Sequence, residues 1–216
     1  MKQKLIIILI FILAILIIAY FKLIYKKVSQ PSFSNSNLNK TTMNKKILMV
    51  IAFKDFRDEE YFVPKEILEK NGFIIETTSN QKGLAIGADG GEVEISKTIK
   101  EIGVKDYEGI IFVGGPGMAK ELDNLDFQKL AQEFLKENKL VSAICIAPAL
   151  LAKAKVLEGK NATVWSSPLD KSPIKILKDN RANYVEQKVV RDGNLITANG
   201  PEAAEEFGNE IVNYFK

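Results

Sequence analysis

Histidine is absent from all 216 residues. That removes the commonest general base near neutral pH, a Cys-His or Ser-His nucleophilic pair, and any metal site that needs an imidazole. Cysteine occurs once, at Cys145, so no internal disulfide can form and a disulfide-stapled scaffold is excluded. No Cys/Asp/Glu spacing suggests a metal site, and no glycine-rich stretch matches a dinucleotide or P-loop fingerprint, so neither metal nor cofactor is expected. Acidic residues are missing from the first 44 positions, which hold six lysines. The formal charge of +3 therefore becomes 24 basic against 27 acidic residues, or −3, over residues 45–216. A slightly acidic domain gives no support for nucleic-acid binding.

The first 44 residues read as an appendage. Residues 5–21 are uncharged and apolar, with lysines at 2, 4, 22, 26 and 27 on either side. With residues 23–25 the run is just long enough to cross a bilayer as a helix. It exceeds the usual signal-peptide core, and no small-x-small cleavage site or lipid-accepting cysteine follows it. A retained single-pass anchor over residues 1–28 is therefore expected in preference to a cleaved signal. The flanking lysines nearly balance, so the positive-inside rule does not decide the orientation. N-terminal anchors of this kind often leave their domain outside the cytoplasm, and an extracytoplasmic domain is the expectation. Residues 29–44, rich in Ser, Asn and Thr, read as a flexible tether. The folded domain begins near Lys45.

Within that domain the stretch 140–151, LVSAICIAPALL, carries the strongest signal. Leu140, Val141, Ala143 and Ile144 predict a buried strand running into Cys145 and then, through Ala147 and Pro148, into a helix. A lone cysteine is often just a small buried hydrophobe. At a strand-to-helix turn, however, unpaired N–H groups and the helix dipole favour the thiolate, and ligands of open α/β sheets bind outside that edge.

The other elements alternate. Residues 46–53 predict a buried parallel-type strand, and a helix follows over residues 59–71 with Val63, Ile67 and Leu68 as its apolar stripe. Glu60 shares that inward face. It reads either as an acid favoured by the helix dipole or as a site carboxyl. Residues 73–78 predict a strand, residues 83–95 a short hairpin, and residues 109–113 a strand ending in Gly114, Gly115, Pro116 and Gly117. Such a loop can aim N–H groups into a site, or simply turn tightly. A helix over 126–138, a strand over 160–165, a loop over 166–172, a hairpin through 184–198 and a helix over 202–215 complete the chain. Strands alternating with helices predict an α/β sandwich, helices on both faces of a mostly parallel sheet. Trp165, Ser166 and Pro168 follow a strand end and are expected over the pocket, with core or interface packing as the competing reading for Trp165.

With these pieces placed, residues 45–216 resemble the ThiJ/PfpI family of the DJ-one superfamily, which has a flavodoxin-like, class I glutamine-amidotransferase-like fold. The resemblance rests on Glu60 with Pro64 four residues on, Gly114-Gly115-Pro116-Gly117, Ala143-Ile144-Cys145 with Pro148, residues 157–160, and Asp192-Gly193-Asn194 before Thr197. It implies that Cys145 is the elbow nucleophile and Glu60 the acid bonded to it. It further implies backbone donors from Gly114, Gly115 and Ile146, and a homodimer. Protease-like members carry histidine immediately after the cysteine, where this chain has Ile146.

The implied function is therefore a thiol acting in oxidative or carbonyl stress. Its partners would be a peroxide or a small reactive carbonyl, and its chemistry peroxide sensing or a glyoxalase or deglycase reaction. A PfpI-type cysteine peptidase or hydrolase is the second reading, and a membrane-tethered chaperone or binding module the third. Two acids in contact should share a proton, which would raise Glu60 and lower Cys145.

Overall fold

A computed structural model describes residues 45–216. The expected anchor and tether lie outside the described residues. Among the described residues, no helix is long and apolar enough to cross a membrane.

The chain opens with β1 (Lys46–Val50), whose alternate side chains are buried on opposite faces: Ile47 and Met49 on one, Leu48 and Val50 on the other. A strand buried on both sides reads as a continuous apolar run, as this one does. After Ile51–Ala52 comes a short β2 (Lys54–Phe56), in the gap between the expected strand and helix. Then α1 (Asp58–Lys70) begins with three acids in its first turn, where the helix dipole favours negative charge. Its fully buried side is Glu60, Tyr61, Pro64 and Leu68; Val63 and Ile67 are only half-buried at its edge.

Next come β3 (Ile74–Ser79), the antiparallel pair β4 (Gly83–Gly87) and β5 (Glu92–Ile95), and a short β6 (Lys97–Thr98). β7 (Gly109–Phe112) leads into a short helix, α2 (Pro116–Lys120), inside what the sequence suggested was a loop. The amphipathic α3 (Leu125–Lys136) is capped by Asn124, whose side chain accepts from the backbone N–H of Asp126 and Phe127. β8 (Leu140–Ile144) and α4 (Ala147–Lys153) flank Cys145.

The strand expected over 160–165 shrinks to β9 (Asn161–Ala162), which pairs with β10 (Asn183–Tyr184) outside the main sheet. Its apolar character comes from burial in the core, since Ala162 and Val164 are buried against the α3 and α4 side. Between the two strands lies α5 (Ser172–Asp179), and the chain ends with β11 (Val189–Asp192), β12 (Leu195–Ala198) and α6 (Ala204–Tyr214).

The main sheet has seven strands in the order β11-β12-β8-β7-β1-β3-β6, parallel throughout except for the β11–β12 hairpin. One face packs on α1 and α6 through Leu68, Phe207 and Ile211; the other packs on α3, α4 and α5 through Phe127, Phe134 and Leu177. This is the expected three-layer α/β sandwich. Its central parallel strands run β3-β1-β7-β8-β12, the doubly wound flavodoxin-like order. That order reverses direction between β1 and β7, opening a crevice at the strands' carboxyl ends. Cys145 ends the next strand over.

Candidate active site

Cys145 is placed by its backbone. It has φ of 62°, in the left-handed region that a side chain with a Cβ enters at a cost of about 1–2 kcal/mol. Two hydrogen bonds hold it there. Its N–H donates to the carbonyl of Ala198 at the end of β12 (2.8 Å), and its own carbonyl accepts from the N–H of Trp165 (2.8 Å). The sharp turn lifts the side chain off the end of β8 and directs the chain into α4.

Glu60 arrives from the other side, on the first turn of α1, and is fully buried. Its Oε2 accepts the Gly114 N–H at 3.1 Å. Gly114 is the reason the two groups can meet. A Cβ there would fall 2.6 Å from both the Cys145 Cβ and Glu60 Oε2, so any side chain would wedge the site apart. The other oxygen, Oε1, is buried without a well-formed hydrogen bond from the protein; the thiol is the polar group beside the carboxyl. The backbone donor expected at Gly114 is therefore spent on Glu60. Gly115 and Ile146 direct their N–H groups at the Cys145 sulfur.

Burial pushes the Glu60 carboxyl up to about 7, against the smaller downward pulls of the thiol hydrogen bond, the Arg57 charge and the Gly114 N–H. Cys145 is pushed up as well, first by burial and then by the charge and hydrogen bond of Glu60; the Gly115 and Ile146 N–H groups oppose this. The expected lowering of the thiol is thus corrected, because only 8% of the residue is exposed and the nearest charge is negative. The two acids are nonetheless coupled. Above about pH 7 the pair keeps one proton, held by the sulfur, and passing it to Glu60 leaves a thiolate facing two N–H donors.

The sulfur opens into a mostly apolar cavity of about 420 Å³. Trp165 lines it, as expected; Ser166 and Pro168 do not, because the chain after Trp165 turns outward and leaves Pro168 exposed. The opposite wall comes instead from Ser172, Pro173 and Ile176 of α5, with Asp170 just before it. The Ser-Pro step with apolar residues following at helical spacing was the signal for that helix. Arg57, also on the wall, was missed too. It is the extended residue just before α1, and its charge lies near enough to Glu60 to pull that carboxyl down. Among the described residues no cluster of acids and cysteine could hold a metal ion.

Residues 45–214 match the model of the DJ-1/PfpI family. The chain belongs to that family. Its relatives include the uncharacterized Methanocaldococcus jannaschii protein MJ0967, 44% identical over 170 residues, covering 78% of this chain and 82% of the other. Among solved structures, a ThiJ/PfpI domain protein from Brachyspira murdochii superposes with a TM-score of 0.74 at 33% identity, covering 78% of this chain and 95% of that one. Drosophila melanogaster DJ-1beta superposes with a TM-score of 0.69 at 25% identity, covering 80% and 91%. Ile146, the residue after the cysteine, is half-buried and packs against both halves of the core.

Proposed function

We propose that this DJ-1/PfpI domain performs cysteine-dependent chemistry on small electrophiles, reactive carbonyl compounds and peroxide, with Cys145 as nucleophile and Glu60 as proton carrier. The observation that supports this reading best is the buried carboxyl with an uncommitted oxygen, set beside a thiol on a strained turn that faces a cavity. With a 2-oxoaldehyde, the thiolate attacks the aldehyde carbon. The S–C bond forms, the carbonyl electron pair moves to oxygen, and that oxygen takes the Glu60 proton. The resulting carboxylate then takes the proton from that carbon and delivers it to the neighbouring carbon through an enediol, while the hydroxyl proton passes to the neighbouring oxygen, converting the hemithioacetal to a 2-hydroxy thioester. Water hydrolyses the thioester, releasing a 2-hydroxy acid and restoring the thiol. With peroxide, the S–O bond forms as the O–O bond breaks, and the departing hydroxide leaves as water with the Glu60 proton. A second peroxide takes the sulfenic acid to sulfinic acid.

Peptide hydrolysis draws no support from a chain without histidine. A binding module with an incidental cysteine would not require a carboxyl buried against the thiol. The test is formation of lactate from methylglyoxal by the full-length chain without added cofactor, read against Cys145→Ser. The expected result is steady turnover that the variant lacks, and peroxide-dependent addition of two oxygens at Cys145. No lactate, together with a thiol that resists peroxide, would sink the reading.

The same proposal puts the domain at a membrane surface on the strength of the uncharged run 5–21. The full chain should stay with membranes through an alkaline carbonate wash and leave them when residues 1–28 are deleted. Release of the intact chain by the wash would argue for peripheral attachment instead.

A further inference from the structure

Two charged side chains line the cavity that holds Cys145, Arg57 and Asp170, and they are not equivalent. The Asp170 carboxylate is turned back onto its own loop, where Oδ1 accepts the Ser172 N–H at 2.8 Å. Arg57 is anchored rather than occupied. Its backbone N–H donates to the Gly114 carbonyl at 3.1 Å, which fixes it against the loop that also positions Glu60. Its guanidinium spends one donor on Asp89 at 3.2 Å, in a pair whose acid is 58% exposed. A pair open to water holds weakly. A guanidinium carries five N–H donors in a planar fork suited to a carboxylate, and among the described residues Asp89 is the one side chain this guanidinium bonds, on a residue of the cavity wall.

We propose that Arg57 selects electrophiles that carry a carboxylate, seating that group on the guanidinium while the electrophilic carbon rests over the Cys145 sulfur. The substrate class becomes the small carbonyl acids, with a carboxylate a few bonds from the carbonyl carbon. The cavity is within the size range that takes such molecules. Attack takes the same course as with a 2-oxoaldehyde: the S–C bond forms, the carbonyl pair moves to oxygen, and oxygen takes the proton from Glu60.

This inference rests on Cys145 acting as a nucleophile toward small electrophiles, and the test separates the two. Iodoacetate and iodoacetamide react with a thiol in the same way, S–C forming and iodide leaving, but only the first is an anion. Second-order rates of alkylation of Cys145 in the full-length chain, followed by intact mass, give an iodoacetate-to-iodoacetamide ratio to set against free cysteine. That ratio cancels any change in the thiol itself. It should exceed the free-cysteine ratio about tenfold, the scale of one charge-assisted hydrogen bond at a partly exposed site. It should return to the free-cysteine value in Arg57→Gln, survive in part in Arg57→Lys, and rise in Asp89→Asn, which releases the guanidinium. A ratio equal to that of free cysteine, or one unmoved by Arg57→Gln, overturns the role of Arg57 and leaves the nucleophile reading intact. Slow reaction with both reagents overturns both.

Discussion

Glu60→Gln is expected to lower carbonyl turnover by about two to three orders of magnitude and, above pH 7, to make the protein more stable. The loss of rate follows from removing the one group that can carry a proton between sulfur, oxygen and carbon; positioned acid–base groups are worth about 10²–10⁴. The gain in stability follows from burial. An acid whose folded pKa is about 7 and whose ordinary value is 4.5 is neutral in both states below pH 4.5. Between the two values the unfolded chain ionises while the folded one keeps its proton, so stability falls as pH rises. Above 7 the cost is complete, at about 3 kcal/mol for a shift of this size. Gln has no proton to lose, and its amide oxygen can still accept from the Gly114 N–H. Urea melts of both proteins between pH 4 and 8 should converge at the acid end and separate toward neutrality, the variant above. Parallel curves would mean that the carboxyl is not held neutral by the fold.

The second large effect is on folding alone. Gly117→Ala is expected to cost about 4 kcal/mol, enough to leave much of the chain unfolded given total stabilities of roughly 5–15 kcal/mol. A Cβ at Gly117 would fall 1.8 Å from the Lys54 carbonyl oxygen and 2.8 Å from the Ala52 Cβ. The first obstacle is backbone, in the short strand β2, and it cannot rotate out of the way. Gly159→Ala supplies the contrast. Its φ of +73° puts the same penalty on an alanine as any left-handed position, about 1 kcal/mol, but nothing lies within 4 Å of the added methyl. Denaturation midpoints should therefore fall far more for Gly117 than for Gly159. Similar losses at both would mean that the loop after β7 can move away from β2.

Much of this was legible in the sequence because the relevant patterns are local. The runs around β1, β7 and β8 are apolar on both faces, which only a covered parallel sheet explains, and Glu60 fell on the inward face of its helix by spacing alone. Cys145 stood at the end of a buried strand before Pro148, which marks a turn into a helix. What the sequence hid were consequences of pairing between distant residues. β2 is three residues long and exists because β4 lies beside it. The α5 wall of the cavity comes from a segment nearly thirty residues beyond Cys145, and the raised thiol depends on how completely the domain closes over it. Arg57 was visible as a charge but not as a neighbour of the cavity.

The two bonds that hold the strained turn at Cys145 tie its geometry to chain completion. One partner, Ala198, lies at the end of the last strand, β12, which pairs in parallel with β8. A nascent chain halted before that point carries an ordinary cysteine, without the bond that pins its backbone. Folding thus sets the Cys145 backbone and its place beside Glu60 together, while it withdraws the thiol from the open solvent an unfinished chain would give it.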